Sequence, residues 1–345
     1  MEREERGMER LLYWVNKTVE EGRVSLPIGY FANVIDIGGI GIALSIDGVG
    51  TKLLVAQMMG KYDTIGIDCV AMNVNDVICV GARALCMLDY LALEEPREDL
   101  LEEIGKGLYE GARIAGIAIV GGETAQLREM LRGMRKGYAF DLAGACLGLV
   151  PLDRIIVGKE IEDGDVVIGL ASSGIHSNGL TLARKVLLKD NLSLYRFSPD
   201  LGRTIGEELL EPTKIYCKEV YQIIDSGIRV KALVNITGGG LLNLLRVAKP
   251  VEIEIEELPP VPPIFKLIQK EGEISDEEMF RVFNMGVGFC VIVDKDDVDK
   301  TMEIIKEAGV NSFILGNVSI ARDGESKVIL RKIGLVGKGT SFRRE

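Results

Sequence analysis

The sequence predicts an α+β protein of two domains, each a mixed sheet layered with helices. Three observations carry that expectation. The chain has 345 residues, enough for two separate cores. Apolar strand-like runs and amphipathic helical runs intermix without the strict βαβ rhythm of a doubly wound sheet. The Val150-Pro151 step divides the chain into residues 1–150 and a larger second half, 151–345, each with its own strands and helices.

Taken in order, residues 1–22 read as a charged helix with Leu11, Leu12 and Val15 on one side. Gly41–Ile46 is a short apolar strand ending in Asp47-Gly48-Val49-Gly50-Thr51-Lys52, and a helix over Leu53–Met59 closes at Gly60. Ile65–Ala82 follows, expected to be N-capped by Asp63-Thr64, so apolar that a helix here is buried on most faces. It nevertheless carries Asp68, Asn73, Asn75 and Asp76. At about 100° per residue, Asp68, Asn75 and Asp76 share a sector of roughly 100°. A buried carboxylate needs a partner or it protonates. A cation is one partner that fits; a Lys, an Arg or a loop to cap is the other.

Ala84–Ala92 reads as a strand, Arg97–Ala115 as an amphipathic helix, and Ile117–Val120 as a strand entering a Gly121-Gly122-Glu123-Thr124 loop. Ala139–Val150 is a further strand. In the second half, Asp165–Ala171 is a buried strand entering Ser172–Gly179, read SSGIHSNG, with a helix to about Lys189 and a surface loop over 190–203. Lys214–Asp225 is helical, and Val230–Asn235 is a strand leading through Ile236-Thr237-Gly238-Gly239-Gly240 to another helix. Val251–Leu258 alternates apolar and acidic residues, a strand with one wet face. Pro259–Pro263 is a break, and Ser275 with Glu278 marks a capping box. Val287–Val293, Phe313–Val318 and Lys327–Leu330 are strands, with a helix over Asp297–Ala308.

The net charge of −11 argues against a general nucleic-acid or anionic-membrane surface. Phosphate ligands stay open, because backbone N–H groups and Mg2+ can hold them. The N-terminal MEREERGMER has no apolar signal region and no run is long enough to span a membrane, so a cytoplasmic protein without membrane partners is expected. Cys69, Cys79, Cys86, Cys146, Cys217 and Cys290 form no C-x-x-C pair and mostly sit in apolar runs, as reduced, buried thiols do.

Four glycine clusters carry the chemistry. In Asp47–Lys52, Gly48 and Gly50 let backbone approach a ligand, Lys52 adds a point charge, and Asp47 can hold Mg2+. Neither a P-loop spacing nor a dinucleotide fingerprint is present, and a plain tight turn is the alternative. Glu123 can bind Mg2+ or orient substrate, or belong to a hairpin turn. His176, the chain's one histidine, has an exposed, loop-like setting that suits a base or a phosphate contact, although most loop histidines are inert. Thr237, Gly238 and Gly239 imply close approach to another phosphate. Together these clusters suggest one ATP-dependent site spanning both domains.

The collinear set DGVGTK (Asp47–Lys52), DTIGIDCVAMNVNDVICVGA (Asp63–Ala82), Leu88-Asp89-Tyr90, GGETA (Gly121–Ala125), Asp141–Gly144, SSGIHSNG, PTKIY (Pro212–Tyr216), ITGGG and FNMGVG (Phe283–Gly288) resembles the aminoimidazole ribonucleotide synthetases, or phosphoribosylformylglycinamidine cyclo-ligases. The resemblance covers roughly residues 29 to 320. It implies ATP-dependent closure of an imidazole ring in purine biosynthesis, through an iminophosphate of formylglycinamidine ribonucleotide. It also implies a homodimer built from strands of the first domain. Carried over to this chain, it implies Asp47 and Asp76 on Mg2+, with Asp68 ranked lower. It places Gly48, Gly50, Thr51, Lys52, Thr237, Gly238 and Gly239 on ATP, and Ser173, His176, Ser177 and Asn178 on substrate. His176, Lys52 and Glu123 become the catalytic candidates. Two departures stand out: Ala84 replaces a proline of the wider superfamily pattern, and Asn235 replaces the histidine usual before ITGGG. The same superfamily holds selenophosphate synthetases, thiamin phosphate kinases and hydrogenase-maturation dehydratases. Their functional cysteines, near the N-terminus in the first and at the C-terminus in the last, have no counterpart here, since the first cysteine is Cys69 and the chain ends Ser341–Glu345.

Overall fold

The structure, a computed structural model, describes residues 2–20 and 24–345. The expected N-terminal helix is α1, Glu2–Glu20; residues 1, 21 and 22 of that expectation lie outside the described residues. The first domain continues with β1 (Asn33–Asp36), β2 (Ile40–Gly48), α2 (Lys52–Met59), α3 (Ile65–Cys79), β3 (Arg83–Leu93), α4 (Glu98–Ala115), β4 (Ala118–Gln126) and β5 (Phe140–Pro151). The strands form one sheet in the order β1-β2-β5-β3-β4, in which β3 and β4 run parallel and the other pairs antiparallel.

Alternation along these strands gives the sheet two unlike faces. One face packs on α3, and α3 packs in turn on α4. That helix pair is close because three glycines line it: a Cβ at Gly66 or Gly107 would meet backbone of the other helix or its leading residue, and one at Gly111 would meet Val70 at 2.9 Å. The other face is apolar yet open, with Ile46 at 77% exposure, Leu88 at 50% and Tyr90 at 42%. The apolar side chains of α1 are also exposed, Trp14 among them.

The second domain comprises β6 (Val166–Ala171), α5 (Leu180–Leu187), the short pair β7 (Phe197–Ser198) and β8 (Arg203–Thr204), α6 (Ile205–Leu209), α7 (Cys217–Asp225), β9 (Val230–Asn235), β10 (Val251–Ile255), α8 (Pro263–Gly272), α9 (Asp276–Val282), β11 (Val287–Val293), α10 (Val298–Glu307), β12 (Ser312–Ile320), β13 (Lys327–Leu330), β14 (Leu335–Lys338) and β15 (Ser341–Arg344). Eight strands form a mixed sheet in the order β15-β14-β13-β10-β12-β6-β11-β9, in which β10 and β13 run parallel. Strands β6 and β11 and the edge strand β9 are buried almost throughout.

Several expectations need correction. Gly121-Gly122-Glu123-Thr124 is not a loop but the middle of edge strand β4, whose hydrogen bonds to β3 outweigh the glycines' turn preference. The segment after Gly239 is a 3-10 turn, Gly240–Leu245, rather than an α-helix. The proline break releases α8, whose first residue Pro263 lacks only an N–H that no helix start would use. Thr64 sits at the N-cap of α3, but its hydroxyl makes no capping bond. Five of the six cysteines are buried and Cys86 is half-buried, all as free thiols.

Candidate active site at the seam between the domains

Each polar side chain of the apolar helix α3 has found a partner. The sector expected from helical geometry is the face turned to the second domain. On it, Asn75 Nδ2 donates to Lys214 O at 2.8 Å and its Oδ1 accepts from Tyr216 N–H at 3.1 Å. Asp68 Oδ1 accepts from Lys52 Nζ at 2.8 Å, and from Thr213 N–H at 2.8 Å and Thr213 Oγ1 at 2.6 Å. Asn73, about 60° further round than Asp76, faces β2 instead. Its Oδ1 accepts from Asp47 N–H at 3.0 Å and its Nδ2 donates to Asp47 O at 3.1 Å, gripping that residue's backbone.

Asp76 lies between these two directions, at the seam. Its Oδ1 accepts from Asn235 Nδ2 at 2.9 Å. Burial pushes its carboxyl up to about 7; the Asn235 bond opposes the shift and the nearby Asp47 carboxylate adds to it. Burial raises Asp47 too, against a hydrogen bond from Gly48 N–H. The structure therefore brings Asp47 and Asp76 together. No Lys or Arg forms a salt bridge with either among the described residues.

Asp89 joins them from β3. Asp47 on β2 and Asp89 on β3 are both in register with Gly144 on β5, so all three share the face that packs on α3. A Cβ at Gly144 would meet Asn73 Nδ2 at 3.0 Å and Cys69 Sγ at 3.3 Å. The Met87 methyl fills the space that a side chain at this position would take, so glycine lets Met87, Asn73 and Cys69 pack down between the two acids. Sequence reasoning gave Asp89 no role; its position on the Asp47 row is the signal that would have found it. Glu123 pairs in register with Tyr90, one residue off that row, and so projects from the open face, away from the acids. The expectation that Glu123 joins Asp47 and Asp76 in one chain is corrected accordingly.

Lys52 is not a free charge at the mouth of a phosphate loop. It is fully buried, paired with Asp68, and also donates to Glu211 O. Asp68 is accordingly ligated by side chains rather than aimed at a cation. Gly48 ends β2; Gly50, at φ +73° with open space around it, forms the turn, and Thr51 Oγ1 lies 2.9 Å from Thr181 Oγ1 at the start of α5.

His176 is corrected from exposed to buried. It takes φ +62°, and its Nε2 accepts from Ser173 N–H at 3.2 Å. Burial, with smaller contributions from the charges of Lys52 and Lys214, pushes it down to about 3, so the ring is neutral. Ser177 is buried beside it, while Ser173 and Asn178 remain half-buried and Gly238 is exposed. Asn178 lies beside Gly238, joining SSGIHSNG to the Thr237–Gly239 turn. Asn284, from the FNMGVG stretch, clamps the same loop: its Nδ2 donates to Gly174 O at 2.8 Å and Ser172 Oγ donates to its Oδ1 at 3.0 Å.

A groove of about 940 Å³ contains none of these residues; Arg83, Arg154 and Lys231 are among those lining it. The candidate site is defined by convergence of groups, not by that groove.

Comparison with known proteins agrees with this architecture. Residues 30–150 match the family described as AIR synthase related protein, N-terminal domain, and residues 162–329 its C-terminal domain. The chain is 47% identical over 301 residues to a phosphoribosylformylglycinamidine cyclo-ligase of Methanococcus maripaludis, covering 87% of this chain and 84% of that one. It is 49% identical over 304 residues to the Pyrococcus horikoshii protein of the same name, covering 88% and 86%. Among solved structures, AaThiL complexed with AMPPCP and TMP shares the fold at a TM-score of 0.65 and 18% identity, over 96% of this chain and 95% of that one. The HypE-HypF complex does so at 0.64 and 20%, over 90% and 93%. Matched by both domain families and by relatives close to half identical along most of its length, this chain belongs to the AIR synthase related proteins, in their phosphoribosylformylglycinamidine cyclo-ligase branch.

Proposed function

We propose that this chain uses ATP to close formylglycinamidine ribonucleotide into aminoimidazole ribonucleotide at the seam around Asp47 and Asp76. The single observation that carries the reading is the convergence of those two carboxylates, from β2 and α3, with the turns that hold Gly48, Gly50, Asn178 and Gly238. Relatives of that name, 47% and 49% identical, supply the reaction.

The residues fit Mg2+. Two hard carboxylates lacking a cationic neighbour in contact match an ion that takes one or two protein carboxylates plus substrate phosphates. Asp47 and Asp76 would hold Mg2+, and the ion would supply positive charge against that of the nucleotide phosphates.

The chain's own groups do the rest. Gly50 and Thr51 present backbone N–H groups to ATP beside Gly48, whose own N–H is held by Asp47 and whose missing side chain leaves room for the phosphates, and Thr237, Gly238 and Gly239 present a second set. Ser173 and Asn178 orient the ribonucleotide from the half-buried edge of the SSGIHSNG loop. The γ-phosphoryl group passes to the formyl oxygen, releasing ADP. The amidine-side nitrogen attacks the formyl carbon, and the C–O bond breaks to release phosphate. His176 is neutral but its Nε2 is already engaged, so the proton from nitrogen goes to the departing phosphate rather than to the imidazole.

A homodimer through the open face of the first sheet is part of this reading. Leu44, Ile46, Leu85, Leu88, Tyr90 and Val120 are exposed there, more apolar side chains than a solvated face ordinarily shows. Glu123 lies on the same face, so any contact it makes to substrate would be made at that interface. Incubating the purified protein with ATP, Mg2+ and formylglycinamidine ribonucleotide should yield ADP and aminoimidazole ribonucleotide in equal amounts. ADP release without an imidazole product would overturn the assignment.

A further inference from the structure

Glu211, Pro212 and Thr213 are three consecutive residues held from two sides. On the first-domain side, Lys52 Nζ donates to Glu211 O, and Asp68 Oδ1 accepts from both the N–H and the hydroxyl of Thr213. On the other side, Ser173 Oγ donates to Pro212 O at 2.5 Å, and Ser177 Oγ lies 3.1 Å from Thr213 Oγ1. Ser177 Oγ also donates to Asp68 Oδ1 at 3.4 Å, so with the Thr213 proton already on that oxygen the Ser177 proton is shared between Asp68 and Thr213. The two serines flank His176, and the 211–213 segment therefore holds the SSGIHSNG loop on both sides of it.

We propose that Lys52 and Asp68 are positioning residues, a buried latch that fixes the substrate loop through Glu211–Thr213, and that Lys52 is not a phosphate ligand. The proposal rests on reading residues 172–179 as the substrate loop. Burying an ion pair is costly unless its remaining hydrogen-bonding capacity is used. Lys52 and Asp68 are both fully buried, and every bond that Asp68 accepts falls on Oδ1, while Oδ2 has no partner. That one oxygen joins the DGVGTK turn, α3 and the substrate loop. Loosening it leaves the backbone approach to ATP at Gly48 and Gly50 in place and frees the loop that carries Ser173 and Asn178.

Thr213→Val tests this in the full-length protein, because it removes the hydroxyl bonds and keeps the N–H bond to Asp68. The KM for formylglycinamidine ribonucleotide should rise about tenfold, with the KM for ATP changed less than about twofold, and Thr213→Ser should restore it. Lys52→Met should show the same split. A rise in the ATP KM instead would return Lys52 and Thr213 to the nucleotide site. A lowered unfolding midpoint with both KM values unchanged would reduce the latch to a structural contact. Should Lys52→Met fail to fold, Thr213→Val alone decides. Asn178→Ala separates the two readings, since Asn178 lies on the loop but outside the latch. An unchanged substrate KM there removes the substrate-loop reading; a raised one beside a normal Thr213→Val removes the latch.

Discussion

Asn235 donates its side-chain N–H to Asp76 Oδ1 at 2.9 Å, joining the end of β9 to α3 across the seam. The amide fixes one oxygen of Asp76 and adds no charge. Burial holds the carboxyl high and the nearby Asp47 adds to the shift, while the Asn235 and Ser45 side chains and the charge of Arg246 oppose it.

Asp76→Asn and Asp47→Asn should each abolish ATP turnover and weaken Mg2+ binding at least about tenfold by calorimetry. Each should also raise the thermal midpoint measured in chelator, because the substitution removes one of two neighbouring half-buried carboxylates whose charged forms are disfavoured by desolvation. Near-normal turnover in either variant contradicts the assignment, as does a lowered midpoint with Mg2+ binding intact.

Mg2+ binding should depend on pH through Asp76. A group pushed up to about 7 must release its proton before it binds a cation, so affinity should fall about tenfold per pH unit below 7 and level off above it. In metal-free protein the same group binds a proton that the unfolded chain does not hold between about 3.8 and 7. Its contribution to stability is therefore lost as pH rises through that window. A pH-independent Mg2+ affinity between pH 6 and 8, values chosen to bracket about 7, would contradict this role.

His176 should act in the opposite sense. The folded group is held near 3, while the unfolded ring titrates near its ordinary 6.5. As pH falls from about 6.5 toward 3, the unfolded chain takes up a proton that the folded one refuses, and stability falls by about 1.4 kcal/mol per pH unit. His176→Gln should remove that slope in urea unfolding between pH 4 and 6, inside the window just named. The acidic limb of the kcat profile should persist in the same variant, since the ring carries no charge there; its disappearance would make His176 the base.

The open sheet face makes a separate prediction. Ile46→Glu combined with Leu88→Glu should give a monomer by sedimentation, because both side chains stand more than half exposed or at half exposure on one row with Ala145. An unchanged dimer, or a wild-type protein already monomeric and fully active, would contradict the interface.

The sequence made much of this legible where local rules decide. The strand expected over Gly41–Ile46 is β2, which runs on to Gly48, and the helix expected over Leu53–Met59 is α2, which starts one residue earlier at Lys52. The sector shared by Asp68, Asn75 and Asp76 was readable from helical geometry and is the face that meets the second domain. Which partner each acid would take was not readable. Lys52 lies 16 residues from Asp68 and Thr213 lies 145 away, so their meeting depends on how two domains close on α3. Glu123 was misjudged because a Gly-Gly step favours a turn locally, whereas eight residues of strand pairing with β3 override it. His176 was read as exposed because its neighbours are serine and glycine; the backbone amide of Ser173 and the ring of Tyr216 explain its burial.

The most direct test of the account follows the formyl oxygen. If ATP phosphorylates that oxygen and ring closure expels it, formylglycinamidine ribonucleotide labelled with 18O at the formyl group should deliver the label to inorganic phosphate. One labelled oxygen should appear per aminoimidazole ribonucleotide and per ADP formed. Unlabelled phosphate accompanying imidazole formation, or ADP formed with the ribonucleotide unchanged, would contradict ring closure through an iminophosphate at this site.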